Sequence, residues 1–433
     1  MAPTYAVNDD SSPMHFSEFV VVERVGTFVD PLGFMRPAGA LQDTLFKQFT
    51  VLSNHPAYHG MLCAIWDFLS EAGAVPGKPN FARKFREIEI FWGLLNAMQG
   101  NPILNVRKYT RLLAAGEFAL GEVSRQHPIY ARLGYGTLGH YTQPSILWGL
   151  VEPKGNALSE TGRKLAGAAR WRSKLDLNSW LTRWANGESF QPAHLAEVQR
   201  AYHLLGEPAD GERSSWQEVI SQWTSRHPHT APLWTDPVPL SELEAAQASH
   251  GAYSAHYAAL VDRYPSLGGR IMALRDFERL SGAVQLVFDL KLANLQFSQK
   301  HPVKFPAVLD ELPVAMVDLA RRASSKGRTF EPGTLFSTLA NTEPSYRAIE
   351  QVVADHHVAH QRGKGVSPFF DQSGLLVKDK VSFTELGPLI ETLADEQSVD
   401  TCLDRLQYRS RRDWHFRRCR VYHDWAYGQG EQA

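Results

Sequence analysis

Apolar positions recur along most of this chain every three to four residues, the spacing that lines one face of a helix. Over 58–72 the stripe is Met61, Leu62, Ile65, Trp66 and Leu69. Over 80–98 it is Phe81, Phe85, Ile88, Phe91, Trp92 and Leu95, while Arg83, Lys84, Arg86 and Glu87 mostly fall elsewhere. The same spacing predicts helices over 42–50, 105–125, 170–184, 241–259, 270–299, 305–323, 345–361 and 386–408. In the 241–259 helix, Ser241 stands where an N-cap is expected and Glu244 where a capping box needs a glutamate. Phe19–Val25 (FVVVERV) reads as a strand, and 363–383 as loop, strand, turn and strand. Asp30-Pro31-Leu32-Gly33 is a turn. Residues 1–13 form a polar, disordered lead, and 428–433 a frayed end. The expected fold class is mainly α with small β elements.

Residues 226–240 (RHPHTAPLWTDPVPL) break the helical pattern with Pro228, Pro232, Pro237 and Pro239. So many prolines predict a stiff, non-helical linker. It divides the chain into a helical domain over 14–225 and a second over 241–433.

The chain has 433 residues, enough for two domains, and 43% are apolar, enough for ordinary cores. The 45 Lys and Arg balance 46 Asp and Glu, so any nucleic-acid contact must come from a local patch. Three scattered cysteines, Cys63, Cys402 and Cys419, make neither a disulfide framework nor a zinc knuckle. The opening residues lack a basic n-region and an apolar h-region, and no apolar run approaches a membrane span. A cytoplasmic protein is expected, with no membrane contact.

Residues 148–168 (WGLVEPKGNALSETGRKLAGA) carry the densest local pattern. Trp148–Val151 is a short apolar stretch and Pro153-Lys154-Gly155-Asn156 a turn cluster. Ala157-Leu158-Ser159 is a second stretch, and Ser159 then caps a helix from Glu160, opened by Thr161-Gly162-Arg163. This segment resembles the wing of winged-helix DNA-binding proteins, a two-stranded wing joined to the next helix. The resemblance implies a winged-helix-like unit over about 105–170, with Lys154 as the charge at the wing tip facing a phosphate. It departs upstream: Tyr141–Leu150 is short and apolar, not basic, and Pro128 interrupts what precedes it.

From Arg405 to Arg420 stand seven arginines, Arg405, Arg409, Arg411, Arg412, Arg417, Arg418 and Arg420, against one acid, Asp413. Trp414 and other rings are interleaved. Guanidinium forks match phosphates and aromatic faces stack on unpaired bases, so this is the expected phosphate-binding surface. The plainer reading is a docked helix whose arginines pair with Glu391, Asp395, Glu396 and Asp400.

His356 and His360 lie one helical turn apart, a spacing that can hold a metal, but no HExxH glutamate accompanies them. Core or helix-end histidines are the expected reading, and no metal or cofactor is expected. Asp289-Leu290-Lys291 follows an apolar run, as in restriction-like nucleases, with Asp276 or Glu278 as the second acid. Helical spacing through Gln299 argues against the strand end such a site needs.

The preferred function is therefore a non-catalytic nucleic-acid-binding or complex-forming protein with protein partners. The alternatives are a protein-only scaffold and a metal-dependent nuclease. The whole chain also looks like uncharacterised prokaryotic proteins of the mobile-element or phage-defence type.

Overall fold

The computed structural model describes residues 30–49, 55–101, 103, 106–114, 116, 118–119, 136–169, 182, 186, 188–190, 208–248, 253–297, 310–325, 335–372, 374–375, 386–396, 398–408 and 414–428. The lead over 1–13, the strand over 19–25, nearly all of the helix over 170–184 and the end over 429–433 lie outside them.

The fold is mainly α. In chain order the helices are α1 (Met35–Phe46), α2 (Ala57–Glu71), α3 (Pro79–Met98), α4 (Val106–Ala114), α5 (Thr137–Trp148), α6 (Glu160–Ala168) and α7 (Asp210–Arg226). Then come α8 (Pro232–Thr235), α9 (Leu240–Ala248), α10 (Tyr253–Arg263), α11 (Gly268–Phe297), α12 (Leu312–Ser325), α13 (Leu335–Ala340) and α14 (Tyr346–Gly363). The last three are α15 (Leu386–Ala394), α16 (Val399–Tyr408) and α17 (Trp414–Tyr427). The strands are two residues each: β1 (Phe118–Ala119) pairs antiparallel with β2 (Ser189–Phe190), and β3 (Phe370–Asp371) with β4 (Gly374–Leu375).

Helices with strong stripes begin and end close to where the spacing puts them. Those with capping signals inside them do not. Ser398 Oγ accepts the Thr401 N–H at 3.2 Å, so 386–408 is two helices. Gly116, in the left-handed region at φ 84°, follows the end of α4 and stops the 105–125 helix early. α9 begins at Leu240, which puts Ser241 inside the helix and not at its cap.

Residues 226–240 correct the linker expectation. Pro228 opens a 3-10 turn over Pro228–Thr230 and Pro232 opens α8, positions where a missing N–H costs nothing. The segment is also packed, with Leu233, Trp234 and Val238 buried. Trp234 meets Trp148 edge to face at 4.9 Å, and Trp148 stacks on Tyr422 of α17 at 5.7 Å. Rings from before and after the prolines thus share one core. A broad-specificity protease at low dose should leave 226–240 uncut. Early cleavage there into two stable halves, read by mass spectrometry, would contradict this packing.

The centre of that core is polar. His59 on α2 is fully buried, with Nδ1 2.7 Å from Ser145 Oγ on α5 and Nε2 3.0 Å from the Tyr422 hydroxyl on α17. Burial pushes its pKa down to about 3, so it is a neutral tie between three helices.

Glu212 lies in the first turn of α7, and burial raises its pKa to about 7 against the lowering effect of the Ala209 backbone. The unfolded chain ionises this group near 4.5, so stability falls as pH rises from about 4.5 to 7 and the full penalty holds above. Glu212→Gln should therefore stabilise the fold by roughly 2 kcal/mol at pH 8 and leave it nearly unchanged at pH 4. Denaturant titrations at the two pH values measure the difference.

Candidate nucleic-acid interface

The wing-like segment forms a short hairpin between α5 and α6. α5 stops because Gly149 turns left-handed at φ 79°. Val151 then bridges Leu158, the Ser159 N–H donates to the Leu150 carbonyl at 3.0 Å, and the Glu152 N–H to Ala157 at 2.9 Å. Gly155 takes the left-handed position of the turn, its N–H donating to the Glu152 carbonyl at 2.7 Å. Leu150, Val151 and Leu158 are buried, which fixes the hairpin on the body, and Lys154 stands exposed at its tip.

Ser159 locks the exit. Its Oγ accepts the Gly162 N–H at 3.0 Å and donates to the Gly149 carbonyl at 2.6 Å, so one hydroxyl caps α6 and closes the hairpin base. α6 presses so closely that a Cβ on Gly162 would lie 1.9 Å from the Leu150 carbonyl oxygen.

α5 begins earlier than the sequence suggests, at Thr137, and holds Pro144 inside it. Its start is set from α3: the buried carboxylate of Glu89 accepts the Thr137 N–H at 2.5 Å. A carboxylate suits the positive end of a helix. Thr137, Tyr141, Pro144, Ser145 and Trp148 face the body. Gly139 and Gln143 are exposed, with His140 and Thr142 half-buried. The outer face of α5 is thus polar and uncharged apart from the titratable His140.

The C-terminal arginines do not form one surface. Arg405 pairs with Glu396, and Arg420 on α17 with Asp424 at 2.8 Å. Arg418 is buried against the Phe49 ring, 5.7 Å from its centroid, and desolvation lowers its pKa to about 10. Arg417 is exposed, with Glu244 of α9 at 3.8 Å. Arg409, Arg411 and Arg412 lie outside the described residues; Trp414 opens α17. The single-patch expectation is corrected for the described members by helix geometry. α17 buries His415, Phe416, Cys419, Tyr422 and Ala426, and Arg418 shares that face three residues from His415 and four from Tyr422. Asp400 and Asp404 pair with Arg279 of α11, at 3.2 Å for Asp400 and 2.7 Å from Asp404 to Nε.

Asp289 and Lys291 lie within the continuous helix α11, not at a strand end. Asp289 accepts from Gln285 at 2.8 Å and Lys291 pairs with Glu350 at 2.5 Å. Asp276 is 13 residues away along the same helix, about 20 Å at 1.5 Å per residue, too far to share a metal. Glu278 is buried and accepts the Tyr257 hydroxyl at 2.7 Å. The nuclease arrangement is thereby corrected: helix geometry separates the groups it needs.

On α14, His356 Nε2 lies 3.0 Å from the Leu32 carbonyl, and its ring stacks on His360 at 5.8 Å. The neighbouring His357 is the fully buried one, with Nδ1 2.9 Å from the Pro31 carbonyl and Nε2 accepting the Phe369 N–H at 2.9 Å. His356 and His357 hold the Asp30–Gly33 turn, where Gly33 is left-handed at φ 75° with His360 against it. Among the described residues, no group of three or more His, Cys, Asp or Glu side chains could hold a metal ion. No described helix is long and apolar enough to cross a membrane.

Sequence reasoning missed a basic cluster at the hairpin base. Arg226 ends α7 and donates to the Trp148 carbonyl at 3.4 Å, beside Gly149. His227 shares the Trp223 indole with it, His229 meets His227 edge on, and Lys47 is near enough for its charge to act on His227. Lys47 and His227 are 180 positions apart, so no window along the chain could have joined them.

Compared with known protein families, curated proteins and solved structures, this chain matches none.

Proposed function

We propose that this is a non-catalytic nucleic-acid-binding protein that works beside protein partners. Its contact module would be α5, the hairpin and α6. The observation that carries the reading is the exposed Lys154 at the tip of a hairpin clamped at its base by Ser159 and Gly162. A fixed cation on a projecting turn suits a phosphate contact, and such contacts position a protein on a duplex without reading bases. The resemblance to winged-helix wings gives the same role to Lys154. The outer face of α5 offers His140, Thr142 and Gln143 but no arginine or lysine, which favours backbone contact over base readout. Large exposed apolar side chains among the described residues, such as Val75, Val314 and Val366, come from distant segments and do not mark a protein-docking patch by themselves. We further propose, on the look of the sequence alone, a place in a prokaryotic defence complex.

Fluorescence anisotropy with a labelled DNA duplex tests this. Binding should weaken steeply as salt rises, and Lys154→Glu should lower affinity at low salt by about tenfold for any sequence. A duplex affinity untouched by Lys154→Glu would remove the hairpin from the interface.

A further inference from the structure

The corner that follows α7 gathers positive charge from two distant parts of the chain. Arg226 and His227 end the helix, His229 lies in the 3-10 turn, and Lys47 directly follows α1. The His227 ring packs on Trp223 at 4.0 Å between centroids, and the Arg226 guanidinium lies 5.9 Å from the centre of the same indole. His229 meets His227 edge on at 6.1 Å. Lys47, Arg226 and His229 are exposed and His227 is half-buried. Burial first, and then Arg226, His229 and Lys47, make His227 harder to protonate, so all three side chains act on one ring. Asp43, one turn back on α1, is an acid within reach of Lys47. Arg270 from α11 donates to the Thr44 carbonyl at 3.4 Å, bringing a further cation to that end of α1.

Crowded cations repel, and a polyanion relieves that repulsion. Arg226 already touches the hairpin base at Trp148 and Gly149. From Gly149 to Lys154 the chain spans at most about 17 Å at 3.4 Å per residue. One rigid corner therefore holds two separated cationic points.

We propose that Lys47, Arg226, His227 and His229 form a phosphate-binding patch that engages the sugar–phosphate backbone of a duplex beside the hairpin, with Lys154 on a separate phosphate. This rests on the nucleic-acid reading above and adds the second anchor. Trp223 holds His227 and Arg226 in place, so the patch is preorganised rather than assembled by the ligand.

The test uses the full chain, a labelled 20-base-pair DNA duplex and salt from 50 to 200 mM. The variant Lys47→Gln with Arg226→Gln and His229→Gln should weaken binding about tenfold or more at low salt. It should also flatten the plot of log affinity against log salt by about two, one for each permanent charge removed. Lys47→Gln alone, a change at an exposed side chain, should flatten it by about one, which keeps the test sound if the triple variant misfolds. Lys47→Arg should restore wild-type binding. If Lys154→Glu weakens binding while the patch variants match wild type, the patch is refuted and the nucleic-acid reading survives. If wild type binds no duplex, both fall. If poly-glutamate binds tighter than duplex at equal salt, the patch serves an acidic protein and the proposal is overturned.

Discussion

Gly162→Ala should lower the melting temperature by roughly 3 °C. The added Cβ would lie 1.9 Å from the Leu150 carbonyl oxygen, far inside any permitted contact. That oxygen cannot retreat freely, since it accepts the Ser159 N–H at 3.0 Å. The helix must move off the hairpin instead, which loosens α6 against α2 and α7, the helices it packs on. Overpacking of this kind costs about 3 kcal/mol, and a chain of this size loses about 1 °C for each. Gly167, on the same helix, provides the control. It is exposed, with nothing within 4 Å of a built Cβ, so Gly167→Ala should stabilise the helix by about 0.5–1 kcal/mol. The two substitutions are chemically identical and differ only in what the methyl meets. Differential scanning calorimetry should show opposite shifts. Two shifts of the same sign would mean that α6 does not lie against Leu150 as described.

The second large effect is at the join between α11 and α16. Arg279 and Asp404 are both buried and pair directly, with Asp400 as a third, exposed member. Breaking a buried pair from one side leaves a charge without compensation, at a cost of about 3–5 kcal/mol. Asp404→Leu should therefore unfold the protein at markedly lower urea, with Asp400 recovering only part of the loss. Arg279→Met with Asp404→Leu removes both charges and should regain most of the stability, since well-packed apolar pairs often match buried ion pairs. The cycle reads the coupling directly. If the double variant were as unstable as the sum of the singles, the pair would be contributing nothing as a pair.

Periodicity carries the helices whose stripe is unbroken. α2, α3, α11 and α14 each begin and end within two residues of the expected positions. The hairpin was legible because its cues are local: a turn cluster between two apolar pairs, then a serine cap. The proline run misled because prolines end long helices yet open short ones, and only tertiary packing shows Leu233 and Trp234 buried. The C-terminal arginines misled for a different reason. Charge density ignores direction, whereas the spacing from His415 through Arg418 to Tyr422 already puts Arg418 on the apolar face. Arg226, His227 and His229 stand together in the sequence, but the approach of Lys47 to them left no trace along the chain, because folding alone brings it there.

The most direct test of the hairpin corner as an interface is amide hydrogen exchange on the full chain, with and without saturating DNA duplex. The account predicts slower exchange on binding in two peptides, one covering the hairpin over 149–159 and one covering 226–231, with α11 around Asp289 unchanged. Duplex binding that leaves both peptides at their free rates, and protects another region instead, would contradict it.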